Sequence, residues 1–189
     1  MDKKKANMIL CGIDEAGRGP IAGDLVMAGC VLHSRIDGLN DSKKLTAKKR
    51  ETLFEEIMEK STCHIVKFSP KQIDDNGISA CLACGLREIM QNVEAQSYLF
   101  DGNTTFGVKG LETMIKADGK VAEVSAASIL AKVTHDRDII KQAEKYPQYE
   151  FEKHKGYGTS RHVELIKKYG YCDLHRKSYK LKALQPTLF

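Results

Sequence analysis

The chain has 189 residues, 42% of them hydrophobic and 29% charged, with a formal net charge of +5. That length fits one domain with a sizeable core, and the ordinary composition excludes disordered, collagen-like and disulfide-stapled classes. No stretch is apolar enough to span a membrane, and Met1 to Asn7 carries no secretory pattern, so the six cysteines are expected as reduced thiols in a cytoplasmic protein.

The apolar run Met8 to Ile13 predicts a first strand. It ends in Asp14-Glu15, and Ala16-Gly17-Arg18-Gly19-Pro20 follows at once. Adjacent acids repel each other, and a divalent cation between them relieves the cost. The loop offers backbone N–H groups and a guanidinium, which are phosphate-holding groups. Leu25 to Leu32 predicts a second strand, paired with the first across the Gly17-Arg18-Gly19 turn. Asp41-Ser42-Lys43-Lys44-Leu45-Thr46 is a polar loop. Thr46 can cap a helix whose apolar face is Leu53, Phe54, Ile57 and Met58. Cys63 to Phe68 predicts a third strand, and Ser69-Pro70 opens a short helical turn. Ile78 to Val93 has helical spacing. Its Cys81 and Cys84 have the separation of a metal or redox pair but lack a second pair, so both are expected in the core.

Tyr98-Leu99-Phe100 predicts a strand ending at Asp101, and Met114 to Lys116 another ending near Asp118. Ligands of α/β sheets sit at strand ends, so these acids are candidate site residues. Glu123 to Ala143 predicts a long helix whose small residues Ser125, Ala126, Ala127 and Ser128 permit close packing. Lys153 to Thr159 is a basic loop around Tyr157, and a helix follows from about Ser160 to Lys168.

Three separate elements thus carry acids: Asp14-Glu15, Asp101 and Asp118. Two-metal phosphodiester hydrolysis needs about four carboxylates. Oxygen ligands suit Mg²⁺ or Mn²⁺, and no His or Cys cluster has zinc spacing.

The chain resembles the bacterial type 2 ribonuclease H enzymes (ribonuclease HII) from about Met8 to Tyr179. The resemblance is carried by five blocks in order: Gly12 to Pro20, Asn40 to Leu45, Phe100 to Asn103, Ala126 to Val133 and His154 to Thr159. It implies an α/β ribonuclease H-like fold, a mixed five-stranded sheet flanked by helices, with a short C-terminal helical part. One domain is expected over residues 1–189, with a catalytic core over about 1–145 and a substrate-binding part and tail over about 146–189. The resemblance maps the metal-binding and catalytic acids to Asp14, Glu15, Asp101 and Asp118. It maps the ribonucleotide-reading loop to Gly17, Arg18 and Gly19, and the junction-sensing tyrosine to Tyr157.

It further implies metal-dependent endonucleolytic cleavage 5′ of ribonucleotides, in RNA–DNA hybrids and at single ribonucleotides in duplex DNA. The products would carry a 3′-hydroxyl and a 5′-phosphate, the chemistry of ribonucleotide excision beside DNA replication. Two Mg²⁺ or Mn²⁺ ions and a monomeric enzyme are expected. Two positions depart from the pattern: Asp24 stands where proline is common, and Ala117 precedes Asp118 where glycine is usual.

Other readings attach to several residues. Asp118 also suits a turn in Ala117-Asp118-Gly119, and Arg18 could pair with Glu15. Tyr157 could be a core residue. Ser42, Lys43, Ser128 and Lys132 are candidate substrate contacts, with Lys132 alternatively screening the acids. His175 and Arg176 are weaker phosphate candidates. Gln185-Pro186-Thr187-Leu188-Phe189 resembles a sliding-clamp peptide, with Gln185, Leu188 and Phe189 as anchors, or else folds back on its own core. The rivals in function are another metal nuclease or phosphoryl-transfer enzyme on the same fold, and a non-catalytic duplex binder.

Overall fold

The structure is a computed structural model that describes residues 8–180. Five strands form one sheet: β1 (Leu10–Ala16), β2 (Leu25–Leu32), β3 (Ser61–Phe68), β4 (Ser97–Asp101) and β5 (Glu112–Met114), in the order β3-β2-β1-β4-β5. β1 is antiparallel to β2 and parallel to β4, so the sheet is mixed, as expected. The first strand reaches Ala16 rather than stopping at Ile13. Asp14 and Glu15 pair with Ala28 and Met27 of β2, and that ladder outweighs the poor strand propensity of the acids.

Helices cover both faces: α1 (Ala47–Lys60), α2 (Pro70–Asn76), α3 (Ile78–Asn92) and α4 (Ala122–Ala143). The period of two along β1 and β2 sorts their side chains. Cys11, Ile13, Leu25 and Met27 join Leu82, Leu86 and Ile89 of α3 in one core. Val26, Ala28 and Cys30 join Leu53 and Ile57 of α1 and the Ala126–Ala131 stretch of α4 in the other. Each fully buried aliphatic side chain contributes about 1.5–3 kcal/mol by leaving water. α4 lies close on β1, because a Cβ at Gly12 would stand 2.2 Å from the Val124 backbone nitrogen. Only glycine permits that approach, and it sets the depth of the helix beside Asp14.

Helix starts follow local chemistry. Thr46 accepts from Lys49 N–H, and Ser69 forms a capping box with Gln72, with Pro70 in the first turn. Two expectations are corrected. Met58 is exposed, so the apolar face of α1 is narrower than its sequence implies. Cys81 is buried but Cys84 is exposed at the margin of the α3 core face. The brief strand predicted over Met114 to Lys116 ends at Met114. Lys116 turns left-handed at φ 59°, and Ala117–Gly119 forms one 3₁₀ turn.

Beyond α4 come α5 (Phe151–His154) and α6 (Ser160–Tyr169). Lys153 and His154 therefore belong to a helical turn, and the open loop begins after them. These elements close a third core, in which Tyr149, Phe151, Leu165 and Leu174 pack on Ile21, Ala22 and Ile139. No helix among the described residues is long and apolar enough to cross a membrane.

Candidate active site

Parallel pairing sets Ile13 of β1 beside Phe100 of β4, so the next residues, Asp14 and Asp101, lie side by side where β4 ends. The 3₁₀ turn delivers Asp118 to the same point, held by Ala117 N–H donating to Asp101 Oδ1 at 3.2 Å. The Ser125 hydroxyl donates to the Asp118 carbonyl from the first turn of α4. Carboxylate oxygens of Asp14, Asp101 and Asp118 lie within 4.8 Å of one another. Glu15 alternates to the opposite side of β1 from Asp14 and is not part of that trio. Its Oε1 lies 3.7 Å from Arg18 Nη1, and its Oε2 is buried without a hydrogen-bond partner.

This grouping is costly as it stands. Burial pushes the Asp14 carboxyl well above its ordinary range. The charge of Glu15 adds to the shift, while hydrogen bonds from Ser128 and from Glu15 N–H, the latter at 2.8 Å, oppose it. Burial raises Glu15 to about 7 against the pull of Arg18, and raises Asp118 to about 6 with help from Asp101 and Asp41. Protons occupy these oxygens when nothing more positive is present. A convergent, oxygen-only donor set with an orphaned buried oxygen fits a hard divalent cation.

Asp14 and Glu15 floor a cleft of about 420 Å³ lined by Asp14 to Gly19, Ser42, Lys43, Ser128, Lys132 and Tyr157, and Asp101 and Asp118 line an adjoining hollow that shares Lys43 with it. Gly17 sits at φ +85°, and a Cβ there would approach the Asp24 carbonyl oxygen to 2.4 Å. Only glycine fits that position. Gly19 is open, its nearest neighbour on that side being the Tyr157 ring at 3.9 Å. Tyr157 is 44% exposed, which excludes the core reading. Ser42 and Ser128 share a hydrogen bond of 2.9 Å on the cleft wall. Lys132 pairs with Asp136 at 2.8 Å, and its ammonium stands 5.9 Å from the centre of the Tyr157 ring.

The structure thus gathers the candidates from Asp14 to Tyr157 around two adjoining hollows that share Lys43, and it separates others. Asp24 lies beside Lys67, Asp138 and Gln142, in a hollow apart from the acids. His175 and Arg176 are each only 1% exposed, which excludes them as phosphate contacts. Gln185, Leu188 and Phe189 fall outside the described residues. Sequence reasoning missed Asp41, Lys44, Lys116 and Lys120, which rim the opening beside Asp101 and Asp118. The Asn40 to Leu45 block contained a signal for the first two. Lys116 and Lys120 carried none, since a bend in the backbone brings them there.

The sequence model of the ribonuclease HII family matches residues 11–182. The chain belongs to the ribonuclease HII family. It is 62% identical over 181 residues to the ribonuclease HII of Sulfurovum sp. (strain NBC37-1), covering 95% of this chain and 96% of that one. It is 58% identical over 177 residues to the ribonuclease HII of Aliarcobacter butzleri (strain RM4018), covering 93% and 92%. Its fold is similar to the ribonuclease HII solved in complex with PCNA from Archaeoglobus fulgidus, with a TM-score of 0.80 and 30% identity over 96% of this chain and 98% of that one. Ribonuclease HII enzymes are metal-dependent endonucleases that act on RNA–DNA hybrids, so this chain is an endoribonuclease, a hydrolase of phosphodiester bonds.

Proposed function

We propose that this ribonuclease HII cleaves on the 5′ side of ribonucleotides, both in RNA–DNA hybrids and at single ribonucleotides embedded in duplex DNA. The products carry a 3′-hydroxyl and a 5′-phosphate. The observation that supports it best is the meeting of three aspartates within 4.8 Å, one of which, Asp14, lies in a cleft walled by Gly17 to Gly19 and Tyr157.

Asp14, Glu15, Asp101 and Asp118 are the residues that would hold two Mg²⁺ or Mn²⁺ ions. When bound, such ions supply water activation and charge stabilisation at the leaving 3′ oxygen. The protein's own groups do the rest. Glu15 N–H and the Ser128 hydroxyl orient the Asp14 carboxylate. Backbone groups of Gly17, Arg18 and Gly19 meet the 2′-hydroxyl, the atom that separates RNA from DNA. The exposed face of Tyr157 stacks on the neighbouring sugar. Lys43, with Ser42 and Lys132 beside it, lines the track of the phosphates and positions the duplex without reading its sequence. Residues about 1–145 serve as the catalytic part and about 146–189 as the substrate-binding part of one domain, acting as a monomer in the cytoplasm.

The test is a duplex with one internal ribonucleotide, incubated with Mg²⁺, with Mn²⁺ and with chelator. Cleavage only with metal, at the 5′ side and with those end groups, is the expected result. Binding without cleavage under all three conditions would leave a non-catalytic duplex binder.

The segment Gln185-Pro186-Thr187-Leu188-Phe189 docks on the sliding clamp in this proposal. Leu188 and Phe189 fill an apolar pocket, Gln185 bonds at its rim, and Pro186 limits the entropy lost. The relative from Archaeoglobus fulgidus solved with PCNA supports this reading. Titration of the peptide, and of the chain lacking it, against the clamp decides the point. A peptide that does not bind, with a truncated chain that melts lower, supports the fold-back reading instead.

A further inference from the structure

The buried Arg176 is the largest side chain almost wholly removed from solvent, and among the described residues no carboxylate pairs with it. Its guanidinium is spent on backbone. Nη2 donates to the Gly17 carbonyl at 2.6 Å and to the Gly23 carbonyl at 2.8 Å, and Nε donates to Gly23 at 3.0 Å. Nη1 donates to the Arg18 carbonyl at 3.3 Å and to the Tyr179 hydroxyl at 3.1 Å. The Tyr179 hydroxyl in turn donates to the Arg18 carbonyl at 2.9 Å. A planar fork with fixed donor directions can make this set of bonds, and an ammonium cannot.

The consequence follows from peptide geometry. A trans peptide points its C=O and the following N–H in opposite directions. Holding the Gly17 and Arg18 carbonyls inward therefore turns the N–H groups of Arg18 and Gly19 outward, into the cleft. Among the described residues, neither N–H donates to a protein acceptor.

The same short segment reaches the opposite wall. Arg176 N–H donates to the Ile21 carbonyl, Gly23 N–H to the Leu174 carbonyl, and Ile21 N–H to the Gly156 carbonyl. Its neighbour His175 meets His162 at 3.1 Å between Nε2 atoms, and His162 Nδ1 donates to the Tyr157 carbonyl at 2.9 Å. Leu174 to Arg176 is thus a strap joined to both walls.

We propose that Arg176, aided by Tyr179, is a positioning residue that aims the Arg18 and Gly19 N–H groups at the ribonucleotide and fixes their separation from Tyr157. This rests on the reading that Gly17 to Gly19 meet the 2′-hydroxyl. Substrates that present a single 2′-hydroxyl depend on that aim most. A uniform RNA–DNA hybrid presents one at every register and tolerates a looser loop.

The experiment compares Arg176→Lys and Tyr179→Phe with the full wild-type chain, measuring kcat and KM on a single-ribonucleotide duplex and on a uniform hybrid. Tyr179→Phe keeps the ring that lies over the Arg176 guanidinium and removes one donor, so it serves if Arg176→Lys does not fold. The expected result is a fall in the single-to-hybrid ratio of kcat, by about threefold for Tyr179→Phe and more for Arg176→Lys. A merely structural role lowers the active fraction and moves both substrates together. Equal losses in the two variants, or an unchanged ratio in Tyr179→Phe, overturn the proposal. Asp14→Asn runs alongside. If it stays active, the reading of the site itself has failed. If it is dead while the ratio is unchanged, only the positioning role has failed.

Discussion

Two clusters of titratable residues lie on either side of the cleft, and they are built on opposite terms. At the strand ends, Asp14, Glu15 and Asp118 have raised carboxyl pKa values because burial and like charge oppose ionisation, and a buried oxygen of Glu15 has no partner. Beneath Tyr157, His154 stacks on His162 at 4.1 Å between ring centres, and His162 meets His175. Burial lowers His162 and His175 to about 4. His154 donates to the Tyr149 carbonyl, His162 donates to the Tyr157 carbonyl, and His175 accepts from Cys172 N–H. The imidazoles are satisfied within the protein, whereas Glu15 Oε2 is buried without a partner. The difference separates a site from a frame: unmet lone pairs facing a cleft await a ligand, and a closed network holds the walls in place.

Removing an acid should break this contrast most sharply. Asp14→Asn or Asp101→Asn should abolish cleavage while leaving folding and duplex binding largely intact. The loss in kcat should exceed the roughly 10–100-fold typical of removing an outer hydrogen-bond partner. Asp118→Asn should be impaired as well. Near-normal turnover by Asp14→Asn at physiological Mg²⁺ would show that the trio does not hold the cation.

The next effect is thermal. Glu15 and Asp118 have folded pKa values raised from 4.5 to about 7 and from 3.8 to about 6. Between those limits the metal-free folded state holds more protons than the unfolded one, so the contribution of these acids to stability falls as pH rises. Mg²⁺ should therefore raise the melting temperature clearly at about pH 7.5 and little at about pH 5, where protons compete for the same oxygens. A pH-independent increment in calorimetry would count against the acids as its source.

The histidine frame carries the opposite sign. His162 and His175 have folded values depressed from 6.5 to about 4. Their contribution is present above about pH 6.5 and is lost as pH falls toward about 4. That acid lability should persist in Asp14→Asn, since it arises in the frame. Melting curves across this range, with imidazole titration followed by NMR, check it.

The smallest effect concerns the exposed ring between the two regions. Tyr157→Ala should lower activity on a single-ribonucleotide duplex by about tenfold, the worth of one stacking contact, and on a uniform hybrid by less. Equal losses on the two substrates would assign Tyr157 to general binding or folding.

Much of this was legible in the chain. The first four strands, the caps at Thr46 and Ser69, the helix from Ile78 and the placing of Asp101 at a strand end follow from periodicity and turn chemistry. What was not legible depends on tertiary placement. Asp14 and Glu15 read as acids beyond a strand, but pairing with β2 draws them into it and alternation sends them to opposite sides. Lys116 and Lys120 reach the rim through a left-handed residue that no local signal marks. Arg176 reads as a weak phosphate candidate in a basic stretch, yet it is buried, and the backbone carbonyls its guanidinium holds lie 153 to 159 residues away.

That last separation orders events at the ribosome. β1 cannot complete its ladder until β4 emerges, and the Arg18 and Gly17 carbonyls wait for Arg176 while 158 and 159 residues are added. At about 5–20 residues per second, the interval is on the order of ten seconds. A nascent chain therefore carries Asp14 and Glu15 long before the loop that follows them is braced by Arg176.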